Sequence, residues 1–178
     1  KYSKFFNFLD KCSKNKINLI VIPLVDNSSI KNNKDFLKIL IEDFKFLENK
    51  LNRLKIQLAF ETDLGPKLNL EFMESLNSNI YGINYDIGNS IGYGHNYKTE
   101  FKILKKYIKN IHIKNKKKNK TCNLFLGDGN IEKIVSYFLN KGYKKNFIFQ
   151  TARVKKRHYD IIKIYYKHFS NEWLKIIQ

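Results

Sequence analysis

Short β-branched apolar runs alternate with longer amphipathic stretches along this chain, five times in succession after an opening helical segment at 4–14. The apolar runs are INLIVIPLV (17–25), KIQLAFE (55–61), IYGINYD (80–86), IKNIHIK (108–114) and NFIFQ (146–150). The stretches between them repeat their apolar residues at helical spacing. The clearest is NNKDFLKILIEDFKFLENKLNRL, where Phe36, Leu37, Leu40, Ile41, Phe44, Leu47 and Leu51 share a face and Asp35 or a neighbouring asparagine can cap the start. Further helices are predicted over LNLEFMESLN (68–77), 98–107, 130–141 and 154–168. Strands alternating with helices require parallel pairing, because a parallel connection needs a crossover of about a dozen residues or more. Runs that are apolar almost throughout suit strands covered on both faces. Two α/β architectures satisfy this order: an open doubly wound sheet, and part of a (β/α)8 barrel.

The polar residues separate the two. Four of the five runs finish on a side chain able to bind a metal: Glu61 in LAFETD, Asp86 in INYDIGNS, His112 in NIHIKN and Gln150 in FIFQTAR. In a barrel the C-terminal ends of the strands converge on one mouth, so residues far apart in sequence meet around one point. A doubly wound sheet gathers its ligands at one switch point and does not account for this regularity. Each residue also has a plainer reading. A strand-end Glu or Asp is commonly a helix cap, and a histidine between isoleucines is commonly a core residue. Together, two carboxylates, an imidazole and an amide oxygen form a donor set suited to Mn, Mg, Co or Zn.

The blocks LAFETDLGP, INYDIGNS followed by GYG, IKNIHIKN, LFLGDGNIE and NKGYKKNFIFQTAR resemble successive blocks of the sugar phosphate isomerase/epimerase family, which has the xylose isomerase-like TIM barrel. The resemblance runs over about residues 18–160, and YDIGNS, HIK, LGDGN and QTAR are its most specific pieces. It is nearest to a subgroup similar to hexulose-6-phosphate isomerases that carries Gln in the last place. In the family, Glu, Asp, His and a final Glu on consecutive strands hold one divalent metal. This implies Glu61, Asp86, His112 and Gln150 as ligands here. It also implies an α/β fold that is the C-terminal part of a (β/α)8 TIM barrel, about five βα units matching strands 4 to 8. On that reading residues 1–178 form a single domain, an incomplete barrel lacking its first three strands, and a fragment or a chain completed by another segment is expected.

The resemblance further implies a divalent-metal-dependent isomerase or epimerase of a sugar or sugar phosphate, moving a proton next to a carbonyl through a metal-stabilised enediolate. Glu61 matches one of the two glutamates that act as the family's acid and base. Gln150 stands where the second would be. Its amide oxygen can ligate a metal but cannot take and return a proton near neutral pH. Epimerisation by two opposed bases is thereby put in question, while a one-base isomerisation through Glu61 survives. Asn89 is a second departure, since family members often place a histidine three residues after the metal-binding aspartate. Asn89, Lys114 and Arg153 are the substrate-side candidates, Arg153 for an anion because a guanidinium grips phosphate through two bonds. The glycines of LGDGN (126–130) either bring backbone N–H groups to substrate oxygens or form a plain turn. The competing readings are a catalytically inactive, barrel-derived binding module and, more weakly, a nucleic-acid-binding or apurinic-site endonuclease-like protein. The related nuclease barrel needs several more histidines than His95, His112, His158 and His168.

Composition narrows the partners. The formal charge is +18, but nearly all of the excess is lysine spread over every segment, with Arg53, Arg153 and Arg157 the only arginines. That pattern describes a solvated lysine surface better than a phosphate-binding groove. The one dense run, KNKKKNK (114–120), is expected to be a loop. No uncharged apolar run is long enough to span a membrane, and no signal-peptide pattern opens the chain. Cys12 and Cys122 lie far apart without Cys-x-x-Cys spacing, which points to packing roles in a reducing, cytoplasmic compartment. The expected partner is a small-molecule sugar or sugar phosphate, with no membrane and with homo-oligomer formation left open.

Overall fold

A computed structural model describes residues 2–152 and 157–177, with side chains as far as Asn171. Five parallel strands form one sheet in the order β1 (Leu19–Leu24), β2 (Gln57–Thr62), β3 (Tyr81–Asp86), β4 (Ile108–Ile113) and β7 (Asn146–Phe149). Each coincides with one of the apolar runs. β1 and β7 are the first and last strands of that order. Pro23, which has no N–H to give a ladder, sits in β1, where an edge strand tolerates it. The chain divides into two compact units, Lys1–Asn84 with Lys106–Lys109 and Tyr85–Lys105 with Asn110–Gln178, and the division passes through β3 and β4.

In the first unit, β1 pairs with β2 in a register that sets Pro23 beside Glu61, and β2 pairs with β3 from Leu58↔Tyr81 to Phe60↔Ile83. Three helices accompany these strands: α1 (Ser3–Lys14), α2 (Lys34–Leu54) and α3 (Pro66–Leu76). Asn33 caps α2, its side chain accepting the Phe36 N–H at 2.9 Å. At the other end Lys55 takes the left-handed conformation (φ 56°), and the N–H groups of Lys55 and Ile56 bond back to Asn52 and Leu51. This closure satisfies the last carbonyls and turns buried Ile56 inward toward β2. The predicted apolar face of α2 is covered unevenly: Phe44, Leu47 and Leu51 are buried, Leu37, Leu40 and Ile41 are half-buried, and Phe36 is exposed. Phe44, Phe60 and Phe72 make the aromatic centre of this unit, with ring centroids 4.6 and 5.2 Å apart in sequence order.

In the second unit β4 pairs with β7 so that His112 lies beside Ile148, and the Gln150 N–H extends the ladder to the Ile113 carbonyl at 3.0 Å. Its helices are α4 (Ile87–Gly92), α5 (Tyr97–Leu104), α6 (Ile131–Asn140) and α7 (His158–Ile177). Phe101 stacks on Phe138 at 4.6 Å, and Tyr85 meets the same ring edge-on at 5.3 Å. α6 closes on Gly142 (φ 86°), with the Tyr143 N–H returning to the Phe138 carbonyl. The lysine-rich run is not a loop. β5 (Asn115–Lys117) and β6 (Lys120–Cys122) form an antiparallel hairpin, turned by Lys118 and Asn119 with φ of 48° and 62°. Two left-handed residues in succession match the twist of the flanking strands, which is why a two-residue connection suffices. Among the described residues no helix is long and apolar enough to cross a membrane.

Candidate metal centre

Alternation along a strand places every second side chain on one face. On β3 this puts Asn84 with Asp86, and on β4 it puts Asn110 with His112, Lys114 continuing the same phase just beyond the strand. Asp86 serves two ends at once. It is the N-cap of α4, its Oδ1 accepting the Asn89 N–H at 2.7 Å, while Oδ2 lies 3.9 Å from Nδ1 of His112 and 3.2 Å from Nζ of Lys114. The capping bond locks the carboxylate's rotation, so Oδ2 is aimed by the turn that starts the helix. The Lys114 ammonium also bonds Oε1 of Gln150 at 3.1 Å and reaches Oδ1 of Asn89 at 3.4 Å. Gln150 is exposed, whereas the side chains of His112 and Lys114 are only 12% and 13% exposed. Arg153 lies outside the described residues.

Glu61 ends the buried part of β2, and the side-chain amide of Asn84 donates to its Oε2 at 2.9 Å. Glu61 and Asp86 are 7% and 5% exposed. Glu61 of the first unit and Asp86 and His112 of the second can each offer one ligand atom. An ion bound at about 2.1 Å spaces two of its donors roughly 3 Å apart at right angles and roughly 4 Å apart when opposed. The 3.9 Å between His112 and Asp86 falls inside that range. Two carboxylates and an imidazole suit a hard or borderline divalent ion.

A second buried cluster stands behind Asp86. Glu100 of α5 accepts from the Tyr85 hydroxyl at 2.6 Å and from the Ser90 hydroxyl, and it meets Nδ1 of His95 at 3.0 Å. Tyr85 points to the opposite face of β3 from Asp86, so this network ties the strand end, α4 and the loop before α5 into one support for the aspartate. Burial first, and then the Glu100 charge, raise the Tyr85 phenol well above its ordinary value. Sequence reading left His95 without a role and missed Tyr85, Ser90 and Glu100. Asn84 was also missed, although the alternation from Asp86 marks it as a neighbour on the same face.

The HIKN block continues into Asn115, whose side chain is wholly buried. Its amide nitrogen donates to the carbonyls of Leu124 and Gly129 at 2.8 Å each, and its oxygen accepts the N–H groups of Lys116 and Gly129 at 3.0 and 3.1 Å. A Cβ on Gly127 would stand 2.1 Å from Cγ of Asn115, and one on Gly129 would stand 2.1 Å from Cδ1 of Ile91. Gly127 is therefore required by close packing on Asn115, which four hydrogen bonds hold in place, whereas Ile91 could turn its end away from a side chain at position 129.

Known proteins of similar structure extend this picture. A xylose isomerase domain protein from Planctomyces limnophilus superposes with a TM-score of 0.84 at 17% identity, over 98% of this chain and 66% of its own length. A xylose isomerase-like TIM barrel protein from Mycobacterium smegmatis, solved in complex with magnesium, gives 0.75 at 15% identity over 97% and 66%. A D-tagatose 3-epimerase-like protein gives 0.72 at 14% identity over 97% and 67%. The chain thus spans about two thirds of the length of these solved relatives. No curated protein matches it significantly. The profile of the xylose isomerase-like TIM barrel covers residues 9–166, and its parallel strands alternating with helices are the order found here. The chain belongs to the xylose isomerase-like TIM barrel family.

Proposed function

We propose that this chain carries the metal-binding and proton-transferring residues of an isomerase or epimerase acting on a sugar or sugar phosphate. The observation that supports the reading is the placing of Glu61, Asp86 and His112 at or next to the C-terminal ends of β2, β3 and β4, with Oδ2 of Asp86 3.9 Å from Nδ1 of His112. These three, with the amide oxygen of Gln150, would hold one divalent ion. The magnesium complex of the Mycobacterium smegmatis relative accords with Mg, and the donor set equally admits Mn, Co or Zn. Such an ion polarises a carbonyl oxygen and so acidifies the neighbouring C–H.

The chain's own residues would do the rest. Glu61 takes a proton from the carbon beside the carbonyl and returns it, and the Asn84 amide holds its carboxylate in one orientation. Gln150 cannot serve as a second base, so a single carboxylate carrying the proton between adjacent carbons fits the residues better than a relay between opposed bases. Asn89 and Lys114 would face sugar hydroxyls, and Arg153 would take a phosphate if the substrate carries one. On this reading the five strands correspond to the last five of the barrel's eight. Free Cys12 and Cys122 accord with a cytoplasmic setting.

The test is isotopic. Incubated with Mn2+ and a panel of ketoses and ketose phosphates in D2O, the protein should place deuterium on the carbon next to the carbonyl. Glu61→Gln should abolish the exchange, and Asp86→Ala should weaken Mn2+ binding at least about tenfold. Failure to bind one equivalent of metal, with no deuterium entering any member of the panel, would refute the proposal.

A further inference from the structure

The ammonium of Lys114 stands where a cation is wanted. Three oxygens converge on its Nζ: Oδ2 of Asp86 at 3.2 Å, Oε1 of Gln150 at 3.1 Å and Oδ1 of Asn89 at 3.4 Å. An ammonium has three N–H donors and no acceptor, so these three partners match its capacity. Lysine is rarely drawn out of water without a partner, and here the side chain is only 13% exposed beside an aspartate whose side chain is 1% exposed. The backbone is arranged to allow this. A Cβ on Gly88 would lie 2.7 Å from Cγ and 3.2 Å from Cβ of Lys114, so the first turn of α4 leaves the lane along which the lysine stem runs. Oδ2 of Asp86 is also the oxygen facing His112. A divalent ion on that oxygen and the ammonium on the same oxygen repel each other, and their separation would be only a few ångströms. The net charge of the donor set bears on the same point. With Gln in the last place the ligands carry one negative charge fewer than a set ending in Glu, and Lys114 offsets one more.

We propose that Lys114 is a built-in counter-ion of this site, in competition with the divalent ion for Asp86 and Gln150, and that an ion loads only as the ammonium leaves them. Lys114 thereby sets how tightly the centre holds its metal. This rests on the metal-centre reading above, and the experiment separates the two. Mn2+ binding is measured by calorimetry, without substrate, on the unaltered chain, on Lys114→Met and on Lys114→Arg, with circular dichroism to confirm folding. Removing one unit charge about 3 Å from a ligand oxygen should tighten Mn2+ roughly tenfold or more in Lys114→Met. Lys114→Arg keeps the competing charge and should stay within about threefold of the unaltered chain. Equal or weaker binding by Lys114→Met, while the unaltered chain binds, would overturn the counter-ion role and leave the metal centre standing. No binding by either would overturn both. Should Lys114→Met not fold, the unaltered chain gives an independent measurement with diamagnetic Mg2+. The Lys114 Cε resonance, assigned through Lys114→Arg, should shift with the same midpoint as Mg2+ uptake, and a resonance that stays fixed through saturation would overturn the proposal.

Discussion

Asn115→Ala offers a stringent test of how the loop after the hairpin is held. The side chain is fully buried and makes four hydrogen bonds between 2.8 and 3.1 Å, to the carbonyls of Leu124 and Gly129 and the N–H groups of Lys116 and Gly129. A neutral hydrogen bond contributes about 1 kcal/mol net, and a buried partner left without one costs about 1–3 kcal/mol. Leu124 is itself buried, so its carbonyl is stranded by the truncation. Gly129 borders exposed residues, and its groups can rehydrate. The loss is therefore expected at about 3–4 kcal/mol, below the simple sum of the worst cases. For a chain of this size that lowers the thermal midpoint by roughly 6–15 °C. Urea unfolding followed by circular dichroism reads the free energy, and amide hydrogen exchange should show protection lost first at Lys116 and Gly129. A loss under about 1 kcal/mol would refute the reasoning. In that case the contacts of Asp128, whose N–H bonds the Lys116 carbonyl and whose Oδ2 accepts from Lys118 N–H, would be what holds the loop.

Two further outcomes follow from the same physics. Burial, and then the charges of Glu48 for Tyr81 and Glu100 for Tyr85, raise these phenols above their ordinary pKa, and burial alone raises Tyr143. The folded state keeps them neutral while the unfolded chain releases their protons near pH 10, so stability should be flat below about pH 9 and fall as pH rises beyond 10. Urea midpoints at pH 8 and pH 11 check the sign, and a midpoint that rises would contradict it. Glu100→Gln should cost about 1–3 kcal/mol, because two hydroxyls and an imidazole converge on a buried carboxylate. It should also speed hydrogen exchange at the His95 N–H, which bonds the Ser90 carbonyl; unchanged exchange there would mean that the loop is held otherwise.

Much of the fold was legible because its signals are local. Period-2 and helical spacing, with Asn33 as a cap and apolar runs as strands, depend on residues within a few positions of one another, and all five parallel strands lie where those runs lie. The strand-end placement of Glu61, Asp86, His112 and Gln150 was legible for the same reason. What the pattern could not express is non-local or conformational. The hairpin through KNKKKNK depends on two consecutive left-handed residues, Lys118 and Asn119, neither of them glycine. α4, which no apolar spacing announces, forms on Gly- and Ser-containing sequence because Asp86 caps it. Glu100 is buried because Tyr85, Ser90 and His95 surround it, a partnership that no spacing rule announces. Lys114 is the sharpest case. By itself the sequence determined that a lysine follows His112 on the same strand face. Only the tertiary structure decided that its ammonium turns onto Asp86 and Gln150, because that depends on the empty volume beside Gly88 and on a strand pairing that brings residue 150 next to residue 113.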